Sequence, residues 1–79
     1  MIKLPKYTTP TYFCWYITDT ATEIDVKEEY DYPDFDSCKA ALVREPLFLR
    51  KGYEGYVCEF DSKTADLLRS TKIEKSNIN

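Results

Sequence analysis

Three kinds of side chain here could do chemistry: three cysteines, fourteen carboxylates and seven tyrosines, in a chain that has no histidine. Lack of imidazole removes the commonest general base, metal ligand and switch near neutral pH. A cysteine nucleophile would need lysine or arginine to lower its pKa. Cys14, Cys38 and Cys58 lie 24 and 20 residues apart without any C-x-x-C pair. Zinc would therefore have to gather its ligands from three separate elements. Each cysteine falls instead on the apolar stripe of an expected element, where it packs as a small hydrophobe. The reading is of inert buried thiols, with at most one disulfide and none expected in a reducing cytosol. Only Gly52 and Gly55 are glycine and neither opens a helix, which argues against a phosphate-cradling loop. No enzyme activity, no cofactor and no metal are expected.

The carboxylates are unevenly placed. From Asp19 to Asp36 there are eight, Asp19, Glu23, Asp25, Glu28, Glu29, Asp31, Asp34 and Asp36, against Lys27 alone. That stretch carries −7 in a chain of net −3, so the remainder is +4. Such polarity serves either as a solvated strand face that protects an edge from aggregation or as a contact surface that steers a basic partner. Tyr30, Tyr32 and Phe35 interleave with the acids. Tyrosine contributes large contact area with few rotors, together with a hydroxyl. The residues assigned to partner binding are Glu23, Asp25, Glu29, Asp31, Tyr32, Asp34, Tyr12 and Tyr16.

Positioning them requires a small sheet. Thr11–Asp19 is rich in β-formers, with Tyr12, Cys14 and Tyr16 on one face and Phe13, Trp15 and Ile17 on the other. A strand apolar on both faces belongs inside a sheet. Thr22–Tyr30 alternates, Ile24 and Val26 inward against Glu23, Asp25, Lys27 and Glu29 outward, and Asp19-Thr20-Ala21-Thr22 turns the hairpin between them. After Tyr32-Pro33-Asp34, an N-cap at Asp36 or Ser37 starts a helix with the stripe Cys38, Ala41, Leu42 and Glu45. Pro46 should end it, with one further turn over Leu47–Lys51 stopped by Gly52. Tyr56–Asp61 is a third strand. Asp61-Ser62-Lys63-Thr64 echoes the first turn, so a second hairpin is preferred to a helix at Leu67 and Leu68.

These elements give an α+β fold: one small two-layer domain over residues 1–79, a β-β-α-β-β antiparallel sheet with one helix packed on one face. Residues 1–10 read as an extended lead-in and 72–79 as a frayed tail. One helix covers one face, which leaves the tyrosine face open. The expected core is Phe13, Trp15, Ile17, Ile24, Val26, Leu42, Cys58 and Phe60.

Charge −3 and a pI near 4.8 oppose phosphate contacts, so direct nucleic acid binding is not expected. The longest uncharged run, Tyr7–Thr18, is too short and too rich in hydroxyls to span a bilayer. Met1–Lys6 is followed by no apolar region or cleavage site, so the expected compartment is the cytoplasm. The partner is expected to be another protein with a basic surface. In general profile, a short, acidic, tyrosine-rich domain resembles the small inhibitors that bacteriophages make against host enzymes and defence systems. That resemblance implies an inhibitor acting through its acidic, tyrosine-rich surface, with DNA mimicry as one mode, for which Glu23, Asp25 and Glu29 with Asp31, Asp34 and Asp36 would supply the carboxylates. The alternatives are a self-associating accessory protein, a homodimer joined through the open sheet face, and a cysteine-based ligand or redox domain.

Overall fold

In a computed structural model that describes residues 10–75, the chain runs β1 (Thr11–Asp19), β2 (Ile24–Tyr32), α1 (Phe35–Val43), α2 (Pro46–Leu49), β3 (Tyr53–Asp61) and β4 (Leu67–Ile73). The four strands form one antiparallel sheet in the order β2-β1-β3-β4. Both helices pack on one face of this small α+β domain.

Each element follows from local chemistry. Asp34 is the N-cap of α1: its Oδ1 accepts from the Ser37 amide at 2.7 Å. The cap thus lies two residues before the earlier of the expected positions, because Asp34 is already extended (φ −147°) with its carboxylate aimed at the first turn. Pro46 stands at the start of α2, where a missing amide costs nothing. The two hairpin turns share one geometry, as their sequence echo predicts. Asp19 Oδ1 accepts from Ala21 N at 2.9 Å and Asp61 Oδ1 from Lys63 N at 2.8 Å. The carbonyls of the same aspartates accept from Glu23 N at 2.7 Å and Ala65 N at 2.8 Å. Glu23 and Ala65 then close their turns at φ 59° and 63°.

The core lies between the sheet and the helices. Trp15 and Ile17 of β1, Val57 of β3, Ile73 of β4, Cys38 and Leu42 of α1 and Phe48 of α2 form its buried cluster, with Phe13 packed against it. Four expected core residues are elsewhere. Ile24 and Val26 are 60% and 46% exposed, because edge strand β2 overhangs the helical layer and is exposed along nearly its whole length. Cys58 and Phe60 occupy the opposite face of the sheet, since β3 pairs with β1 in the register Cys14↔Cys58 and Tyr12↔Phe60. Lys72 and Ile73, expected to lie in a frayed tail, belong instead to β4, and Ile73 is buried. Residues 1–9 of the expected lead-in and 76–79 of the tail lie outside the described residues.

One helix-cap aspartate, one turn aspartate and one strand glutamate make the fold acid-sensitive. The Ser37 amide holds Asp34 below the usual carboxylate value, the Thr64 and Lys63 amides do the same for Asp61, and Lys72 at 2.7 Å lowers Glu54. A carboxyl whose folded pKa is depressed contributes stability that is complete above its unfolded value, about 4, and lost as pH falls through the folded one. The melting temperature should therefore drop between about pH 5 and 2. Asp34→Ala and Asp61→Ala should each flatten that dependence in a thermal melt followed by circular dichroism. Identical slopes in parent and variants would contradict it.

Candidate interaction surface

On the face away from the helices, the register lays side chains in rows across the sheet. One row is Glu28, Tyr16, Tyr56 and Lys72, reading β2-β1-β3-β4. Its neighbours are Cys14, Cys58 and Ser70 on one side and Asp25, Thr18 and Glu54 on the other. Beyond the cysteines come Tyr12, Phe60 and Leu67. Among the described residues neither helix lies on this face.

Its aromatics pack on one another. Tyr12 stacks on Phe60 with ring centroids 5.5 Å apart, and Tyr16 meets Tyr30 edge-on at 6.0 Å. The Tyr30 ring also reaches to 6.4 Å from Phe60, so it spans the row that begins at Cys14. The Tyr16 and Tyr30 hydroxyls hydrogen-bond at 2.9 Å. Hydrogen bonding to Glu28 is the main influence pushing the Tyr30 phenol up, while burial, ahead of the bonds to Tyr30 and Cys14, raises Tyr16. Acids flank the platform unequally. Asp25 accepts from the Thr18 hydroxyl at 2.8 Å and remains exposed, as does Glu28. Across the sheet, Glu54 is neutralised by Lys72. Among the described residues, the acids of this face that pair with no cation, Asp25 and Glu28, thus lie along its β2 side.

The sequence-assigned residues do not form one patch. Tyr12, Tyr16 and Asp25 do lie on this face. Glu29 pairs opposite Trp15, on the helix side, and accepts from the Tyr32 hydroxyl. Tyr32 is itself half-buried against the core. Glu23 sits in the first turn, Asp31 at a bulge with φ 85°, and Asp34 is committed to its cap. The cause of this scatter is two irregularities in β2, which places Val26 and the residues around Asp31 as extras against β1. Each insertion reverses which face the following residues occupy. Strict alternation therefore grouped Asp25 with Glu29 and overlooked Glu28, Tyr30, Tyr56 and Phe60. The Tyr56-Cys58-Phe60 alternation was visible, but its face was not.

The three thiols are buried, as their apolar positions predict. Cys38 lies in the core, where burial raises its pKa to about 12. The described residues contain no group of three or more His, Cys, Asp or Glu placed to hold a metal ion. A concavity of about 350 Å³ opens at one end of the sheet beside Thr20, Tyr53, Glu54 and Lys75. It borders the tyrosine platform at Glu54 and Lys72, which pair with each other, and Lys75 at its rim donates to the Arg50 carbonyl at 2.7 Å. No described helix is long and apolar enough to cross a membrane.

Compared with protein-family models, with curated proteins and with solved structures, the chain matches none of them. Fold and surface together define its class as a small two-layer α+β domain whose outer sheet face is aromatic at the centre and acidic along one edge.

Proposed function

We propose that this chain is a non-enzymatic protein-binding module that docks a basic surface of another protein on its outer sheet face. The observation that supports it most is the Tyr16–Tyr30–Glu28 cluster, flanked by Asp25, with neither Glu28 nor Asp25 paired to a cation among the described residues. Arginine or lysine of a partner would find ring faces for cation–π contact and carboxylates for charge pairing in one place. Such docking would serve inhibition by covering a basic site of an enzyme or defence complex, the activity its sequence profile resembles. A DNA-like row of carboxylates is no longer part of the reading, because Glu29 and Asp34 are used within the fold.

The test uses an Arg/Lys-rich peptide as probe and nuclear magnetic resonance shifts as readout. Shifts should centre on Tyr16, Tyr30 and Tyr56, and affinity should fall as salt rises. Asp25→Asn with Glu28→Gln should weaken binding about tenfold, the effect of roughly 1.4 kcal/mol of lost charge pairing. Equal affinity in parent and double variant, or shifts confined to the helix side, would refute the reading. So would a homodimer in light scattering that dissociates in Tyr16→Ala, since the face would then serve self-association.

A further inference from the structure

At the centre of the outer face, Cys14 of β1 and Cys58 of β3 are direct cross-strand partners. On that face Cys58 Sγ lies 3.6 Å from the Ser70 hydroxyl. Three cysteines allow three single-bridge pairings, which the sequence cannot choose between. The fold chooses: Cys38 belongs to α1 and is buried on the far side of the sheet, so only Cys14 and Cys58 share a face. Directly opposed strand positions have Cβ atoms about 4.5–5.5 Å apart, against about 3.5–4.5 Å across a disulfide. Bridging them takes only a small approach of two strands that are already paired.

We propose that Cys14 and Cys58 form a thiol–disulfide exchange site that takes glutathione disulfide as its oxidant and closes to a reversible intrachain disulfide. The inference goes beyond the docking role and does not depend on any partner. The two thiols are unequal. The neighbouring Cys14 thiol draws the Cys58 pKa down, while Cys58 in turn and burial push Cys14 up. Cys58 is therefore the attacking thiolate. It bonds to one sulfur of glutathione disulfide, whose S–S bond breaks to release the first glutathione thiolate, which takes a proton. Cys14 then gives its proton to solvent and attacks Cys58 Sγ, breaking the mixed disulfide and releasing the second glutathione. Two protein thiols lose two electrons and one glutathione disulfide becomes two glutathiones. Both sulfurs are almost fully buried, so exchange should be slower than for a free thiol.

Folded protein incubated with glutathione disulfide, then mapped by mass spectrometry without reduction, decides the matter. The expected product has lost two hydrogens, contains a Cys14–Cys58 linked peptide, keeps Cys38 alkylatable only after unfolding, and reverts with excess glutathione. Cys38→Ala should give the same bridge. Cys14→Ala should stop at a single glutathione adduct on Cys58. Three free thiols remaining after prolonged incubation, a bridge involving Cys38, or a stable adduct in the parent protein would overturn the proposal.

Discussion

Trp15→Ala is expected to destabilise the domain by ~3–5 kcal/mol, the range for emptying a large aromatic site in a core. For a chain of 79 residues that is a large part of a total stability of ~4–12 kcal/mol. Trp15 is 1% exposed and is the largest side chain of the buried cluster, between Ile17 and Val57 on the sheet side and α1 above. Little of the cavity could collapse, because Leu42, Phe48 and Ile17 are each held by their own elements. Trp15→Phe should cost clearly less, since the smaller ring fills part of the site and removes an indole N–H that has no hydrogen-bond acceptor among the described residues. Urea denaturation of the three proteins measures the difference. Equal midpoints for parent and Trp15→Ala would show that the core is not where the fold places it.

The second large effect is expected from adding one carbon. A Cβ on Gly55 would lie 2.6 Å from both Cδ1 and Cε1 of Phe48 and 2.9 Å from Cδ2 of Leu42. All three residues are buried, so neither side chain can swing into solvent. Gly55→Ala should therefore cost ~1–3 kcal/mol, as overpacking usually does, despite the entropy that alanine saves in the unfolded chain. The backbone of Gly55 is not in the left-handed region, so the penalty is steric and can be relieved at its source. Phe48→Leu should destabilise the parent but cost less, or even help, when combined with Gly55→Ala. A double-mutant cycle in urea reads that coupling. Additive losses would mean that α2 does not press its ring against β3.

Local signals in the sequence carried most of the framework. The dense β-formers of Thr11–Asp19, the proline that separates α1 from α2, and the twin aspartate turns each act within a few residues, so they could be read without a structure. The face of β1 was also legible, because Trp15 and Ile17 are the larger apolar set and the tyrosines carry hydroxyls that prefer a wet side. Phe48 was missed as a core residue. A four-residue helix has too few positions to show a periodicity, and its burial depends on the space left above Gly55.

By itself the sequence determined the α+β class, the order of elements, the burial of the thiols, and an acidic stretch next to a tyrosine-rich strand. These depend on residue type, local turn chemistry and period. Only the tertiary structure decided which acids and aromatics share a surface. Two extra residues in β2 reverse its facing, and the register of β3 against β1 sets Tyr56 beside Tyr16, Phe60 beside Tyr12 and Cys58 beside Cys14. Side chains alternate with a period of two, so a single inserted residue or a one-residue shift moves a whole strand's side chains to the other face. No local pattern records that choice, because it is made by hydrogen bonds to a strand about forty residues away in the chain.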